Sequence, residues 1–343
     1  MTEVGRKNYG PTVTVGQAKR ILGSLLSKEP REVPSVFLWG PPGIGKSSLV
    51  KQVAEEKGIG IIDLRLSLLD AIDLRGIPSV KDDKCFWTRP PFLPAEGKGI
   101  LFLDELNTAS PSVQNSALQL VLDRRVGEHK LGDGWYIVAA GNRREDSSLV
   151  FQLADPLLSR FVHLEVNVNV DEWLSWAIRN EIDERVVGFI KFRPELLLRV
   201  ESGKRQSINF PCPRAWEFCS KLISSGVDPV MAAESSVGLG AAAEFAGYIE
   251  VYSKLPPVEK VLSGEVEFPQ ELEPSAICAL GASLVSHAKS QKDVDRILEI
   301  VLSFKRREFG VYILKLLYAK DKEKAKKSSK WDTVAKRYLE VII

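Results

Sequence analysis

The chain has 343 residues, 44% hydrophobic and 27% charged, a balance that suits a folded water-soluble protein with room for two domains and an appendage. A formal net charge of +2 gives no global case for binding nucleic acid or an anionic membrane. No apolar run approaches the roughly 20 residues that span a bilayer, and "MTEVGRKNYGPTV" lacks the apolar centre of a signal peptide. Cys85, Cys212, Cys219 and Cys278 show no C-x-x-C spacing and the three histidines are scattered. Reduced thiols in a cytoplasmic protein without a transition-metal site are therefore expected.

In chain order, "TVGQAKRILGSLLS" predicts a helix capped by Thr14, with Ala18, Ile21, Leu22 and Leu25 on one face. "SVFLW" predicts a buried strand, and the segment after it holds the pattern G-x-x-x-x-G-K-[ST] between Gly40 and Ser47. In this phosphate-loop pattern Gly43 and Gly45 let successive N–H groups turn inward around phosphate oxygens. Lys46 supplies a cation to the β- and γ-phosphates, and the Ser47 hydroxyl can ligate Mg²⁺. Leu49, Val50 and Val53 continue at helical spacing, so a helix N-terminus adds its positive end to the same site. The loop as a whole, Gly40, Pro41, Pro42, Gly43, Ile44, Gly45, Lys46, Ser47 and Ser48, is the expected triphosphate cradle. A glycine-rich turn without a ligand is the plain alternative.

"GIGIIDLRL" (58–66) predicts a second strand and "GILFLDELN" (99–107) a third, with the continuous apolar run of a strand covered on both faces. Asp104 and Glu105 stand at its C-terminal end, the edge of a parallel sheet where ligands bind. Asp104 is placed to hold Mg²⁺ through water and Glu105 to activate an attacking water. Their alternative is a capping pair before the next helix. That helix, "SPSVQNSALQLVLD", has Ser110 as cap, Pro111 at its first position, and Val113, Ala117, Leu120 and Val121 inside. "WYIVAAGN" (135–142) and "RFVHLEV" (160–166) predict the fourth and fifth strands. Asn142 ends the fourth beside the same edge, either orienting water or γ-phosphate or serving as a turn residue. Strands alternating with helices predict a five-stranded parallel sheet covered on both faces.

Beyond residue 167 the pattern turns helical in "VDEWLSWAIRN", "ERVVGFIKF", "PELLLRV" and "PRAWEFCSKLISS". The expected layout is a nucleotide-binding core (1–167) with an insert at 64–93 and a hairpin at 125–138, a helical domain (168–252), a proline-rich linker (253–274) and a basic helical extension (275–343).

The phosphate loop, "LFLDEL", "AAGN" and "PLLSRF" in this order resemble an AAA+ ATPase, and within that class the MoxR-type branch, over about residues 10–225. The insert before the third strand and "RRVGEHKLGDGWYIV" also resemble that branch. The resemblance implies an αβα core with a helical lid, ATP and Mg²⁺ as cofactors, and a homo-oligomeric ring of six subunits that remodels a protein client. It further implies a partner bearing a von Willebrand factor A domain. Arg160 then corresponds to the arginine finger that reaches a neighbour's γ-phosphate, with Arg143 and Arg144 as rivals, and Arg214 to the sensor arginine of the lid. Their alternatives are a surface pairing of Arg160 with Asp155 or Glu165, and a solvent-exposed Arg214.

Two other functions fit parts of the chain. A nucleic-acid motor or loader would use the basic stretch around "KDKEKAKKSSK" to neutralise phosphates, although its acids and lack of aromatic interleaving also suit a solvated helix. A monomeric kinase or switch would need no arginine from a neighbour, and the Asp104–Glu105 pair and helical lid weigh against it.

Overall fold

The computed structural model describes residues 9–146, 150–200, 208–269 and 272–342. The chain divides between Val168 and Asn169 into two compact units. The first opens with β1 (Thr12–Thr14) and α1 (Val15–Leu25). Thr14 caps α1 as its sequence predicts: its hydroxyl accepts from Gln17 N–H, and the Gln17 amide accepts from Thr14 N–H, so two helix-end donors are satisfied at once. β2 (Ser35–Trp39), α2 (Lys46–Lys57) and β3 (Gly60–Arg65) follow. The insert consists of α3 (Ala71–Arg75) and an antiparallel pair, β4 (Pro78–Lys81) with β5 (Lys84–Trp87). Then come β6 (Lys98–Asp104), α4 (Pro111–Asp123), the short hairpin β7 (Arg125–Val126) and β8 (His129–Lys130), β9 (Gly134–Gly141), α5 (Asp155–Leu158) and β10 (Phe161–Asn167).

Six strands, all parallel, form one sheet in the order β1-β10-β2-β9-β6-β3. The expectation of five is corrected by β1, whose Thr12 and Thr14 pair with Glu165 and Asn167 of β10. Three residues are too few to show an alternating pattern, and Thr14 also announces the helix it caps. Val36 to Trp39 and Ile100 to Leu103 are buried along their whole length, which explains their unbroken apolar runs: helices cover both faces. The register sets Trp39 opposite Gly141, Leu103 opposite Ala139 and Arg65 opposite Asp104. The loops after β2, β6 and β9 therefore leave the sheet at one edge.

The second unit is helical throughout its described residues. It comprises α6 (Val170–Arg179), α7 (Glu184–Phe192), α8 (Pro213–Ser224), α9 (Pro229–Val237), α10 (Leu239–Tyr252), α11 (Val258–Ser263), α12 (Pro274–His287), α13 (Gln291–Ser303), α14 (Arg307–Lys320), α15 (Lys322–Lys327) and α16 (Trp331–Ile342). "PELLLRV" yields only a short 3-10 turn at Pro194–Leu196, and residues 201–207 lie outside the described residues. The stretch expected as a linker carries α11, which buries Val258, Val261 and Leu262. α12, buried from Ser275 to Val285, packs on α7 so tightly that a Cβ at Gly188 would stand 2.9 Å from the Cys278 carbonyl oxygen. The C-terminal helices thus share one unit with α6 and α7.

Several basic residues of that last segment bond within the unit itself. Lys320 Nζ donates to the carbonyls of Val285, Ser286 and Ala288 at 2.7, 2.7 and 3.0 Å. Arg337 donates to the carbonyls of Leu302 and Phe304. These cations sit at the C-terminal ends of α12 and α13, where unpaired carbonyls and the helix dipole favour positive charge. Lys330 pairs with Glu299 at 2.8 Å, and Lys315 with Asp171 at 2.7 Å.

Candidate nucleotide site

The loop between β2 and α2 has the backbone its glycines permit: Gly43 has φ 79° and Gly45, the N-cap of α2, has φ 98°. An L side chain at either would be strained. The Lys46 side chain folds back over the loop, with Nζ donating to Gly40 O at 2.7 Å and Pro41 O at 2.9 Å, and to Asn142 Oδ1 at 3.3 Å. Lys46 is only 9% exposed. A buried ammonium held by neutral oxygens at a helix N-terminus suits a polyanion.

Ser47 Oγ donates to Asp104 Oδ2 at 2.7 Å, joining residues 57 positions apart. Asp104 is also 9% exposed. Burial pushes its carboxyl above the ordinary aspartate value, partly offset by the Ser47 hydroxyl and the Glu105 N–H, which donates to Oδ1 at 3.0 Å. A buried carboxylate beside a hydroxyl, both hard oxygen donors, fits Mg²⁺. Glu105 is exposed and stands in the left-handed region, φ 57°, a conformation that turns its side chain away from the line of β6. Its carboxylate accepts from the Ser67 hydroxyl, in the one-turn helix after β3. Sequence reasoning did not find Ser67. Nothing in "RLSLL" marks it, because the contact depends on β3 lying beside β6.

Asn142 follows β9, and its backbone is gripped by the side chain of Asn107, a second residue the sequence analysis did not single out. The one signal was an asparagine buried to 1% exposure just after the acidic pair, and burial is not legible in the letters "DELN". Arg143 is enclosed by acids of its own chain. Its guanidinium, 11% exposed, pairs with Asp146 at 2.5 Å and with Glu165 at 2.6 Å. Burial alone would lower its pKa, but those two hydrogen-bonded carboxylates raise it above the ordinary arginine value. Glu165 is thereby committed to Arg143. Arg144 is exposed, its N–H donating to the Tyr9 hydroxyl at 3.0 Å and its guanidinium to Gln152 at 3.4 Å.

Arg160 follows α5, is exposed, and among the described residues makes no ion pair. It pairs with neither Asp155 nor Glu165. Arg214 is the second residue of α8 and is exposed; it belongs to the second unit. The structure thus brings Gly40, Lys46, Ser47, Asp104, Glu105 and Asn142 to one sheet edge, and leaves Arg160 and Arg214 facing solvent.

Fold and site together define a P-loop AAA+ module with a six-stranded parallel sheet, followed by a helical region. Residues 35–161 match the family model of the AAA domain, dynein-related subfamily. Midasin of Giardia intestinalis is 30% identical over 176 residues, covering 49% of this chain and 4% of that protein. The replication factor C large subunit of Pyrobaculum calidifontis is 34% identical over 79 residues, 18% of this chain and 19% of that protein. The chain therefore spans a fifth or less of the length of these relatives. Among solved structures, the RuvB Holliday junction branch migration motor of Thermotoga maritima covers 84% of this chain and 75% of its own at 15% identity, with a TM-score of 0.36.

Proposed function

We propose that the chain hydrolyses ATP with Mg²⁺, assembles as a homo-oligomeric, hexameric ring of MoxR type, and uses turnover to remodel a protein partner. The observation that carries the hydrolysis reading is the convergence of three distant segments: Ser47 bonds to Asp104 at 2.7 Å while Lys46 reaches Asn142 at 3.3 Å. Lys46 and the loop N–H groups would hold the phosphates, and Ser47 and Asp104 the metal. Bound Mg²⁺ would neutralise charge on the β- and γ-phosphates. Glu105 would take a proton from the attacking water once freed from Ser67, and Asn142 would orient that water or the γ-phosphate. Arg160, exposed and without an ion pair among the described residues, suits a role on a neighbour's nucleotide, and Arg214 keeps the sensor role that the resemblance implies.

The protein-remodelling reading rests on the resemblance and on the β4–β5 insert, which exposes Val80, Phe86 and Trp87. A partner with a von Willebrand factor A domain belongs to the same proposal. Replication factor C and RuvB act by name in replication and branch migration. The matching expectation here drew on the basic C-terminal stretch, part of which bonds within its own unit; its interspersed acids and lack of aromatic interleaving favour the protein-directed reading. The test is Mg²⁺-dependent phosphate release. Glu105→Gln is expected to keep ATP affinity and to lose turnover by a factor on the order of 10²–10⁴. Turnover at the wild-type rate would remove Glu105 from the mechanism.

A further inference from the structure

The carboxamide of Asn107 meets the backbone of Asn142 on both sides. Its Nδ2 donates to Asn142 O at 2.7 Å, and its Oδ1 accepts from Asn142 N–H at 3.1 Å. Asn107 also anchors its own surroundings: its carbonyl accepts from Phe151 N–H at 2.8 Å, and the preceding Leu106 N–H donates to Ala140 O at 3.0 Å. The approach depends on Gly141, where a Cβ would lie 2.4 Å from Asn107 Oδ1. Only a carboxamide offers a donor and an acceptor side by side at this reach. A carboxylate would set an oxygen against the Asn142 carbonyl, and an alanine would leave two backbone groups without these partners.

Asn107 stands two residues after Glu105, and its grip leaves Asn142 free only in its side chain, which faces Lys46. On the far side, Arg143 is fixed by Asp146 and Glu165. We propose that Asn107 is a positioning residue for hydrolysis: it locks the loop carrying Glu105 to the loop carrying Asn142, so the water-activating carboxylate and the phosphate-facing amide keep a fixed separation. The proposal rests on the ATP-hydrolysis reading above. A small misplacement of such groups is enough to cost about 10²-fold in rate, whereas nucleotide binding, dominated by Lys46 and the loop, does not pass through Asn107.

The test compares Asn107→Ala and Asn107→Asp in the full chain. Turnover at saturating ATP is expected to fall roughly 10²-fold, with the dissociation constant for ATP held within about threefold. A purely structural role would not separate the two quantities. Turnover within about threefold of wild type in the folded variants, or an equal loss of affinity and turnover, overturns the proposal. Should Asn107→Ala not fold, Asn107→Asp keeps the size and the acceptor and carries the comparison. Amide hydrogen exchange gives a readout that needs no hydrolysis: the Asn142 N–H should exchange faster in either variant, while strands β2 and β6 stay protected. If the wild-type chain binds ATP without hydrolysing it, the hydrolysis reading fails on its own. Unchanged exchange at Asn142 overturns the clamp in either case.

Discussion

Asp104 is the residue at which stability and function oppose each other. Burial is the main cause of its raised pKa, so the folded state binds this proton more tightly than the unfolded chain. Stability from that difference is complete below the ordinary aspartate pKa and is lost as pH rises through the folded value. At neutral pH the ionised carboxylate therefore destabilises the metal-free protein, an effect that Mg²⁺ would offset. Asp104→Asn is expected to raise the thermal midpoint of the nucleotide-free chain at neutral pH and to abolish Mg²⁺-dependent turnover. The stabilisation should shrink as pH falls towards the ordinary aspartate range. A variant less stable than wild type at neutral pH would mean that the lost bond from Ser47 outweighs the buried charge. Lys46, Ser47, Asp104 and Asn142 were legible because each sits in a short local pattern at a strand end. Ser67 and Asn107 were not, since their roles exist only through contacts across 38 and 35 positions.

Elements were legible in proportion to how much of their pattern was local. α4 begins at Pro111 and buries Val113, Ala117, Leu120 and Val121, as its spacing predicts, although the Ser110 hydroxyl at its N-cap makes no capping bond to the helix backbone. β6 and β9 differ from expectation only at their ends. β1 escaped because its stability comes from pairing with a strand some 150 residues later, and α11 because prolines on either side made its surroundings look unstructured. The β4–β5 hairpin offers a direct check through its cysteine. Cys85 is exposed, while Cys212, Cys219 and Cys278 are buried. Burial raises the Cys212 thiol and pushes Cys219 to about 11 and Cys278 to about 12, so these three hold little thiolate at neutral pH. A thiol reagent should label one site per native chain quickly, and all four after unfolding. Fast labelling of a second site would show that one of the buried cysteines opens readily.

At the scale of the whole molecule, the central prediction is that one chain completes another's active site. Arg160→Ala should reduce turnover by a factor on the order of 10³ with ATP binding retained, and Lys46→Ala should lose ATP binding. In rings mixed from these two inactive variants, an intact Arg160 can serve an intact phosphate loop, so partial activity should return. No recovery at any ratio, in rings shown to exchange subunits, would exclude Arg160 as a residue acting on a neighbour. Arg144, exposed where Arg143 is enclosed, would be tested next.

The lysine and arginine fastenings at the ends of α12 and α13 carry a lesson about counting charge. Those cations are aimed at carbonyl oxygens within hydrogen-bond distance, so their hold is short-ranged and does not depend on a balancing acid that dissolved ions could replace. A tally of letters treats Lys320 and Arg337 as surface positivity available to any passing polyanion. In the folded chain they are closer to rivets: their charge remains, but each side chain is held at a helix end and is not free to swing out and follow a partner's surface.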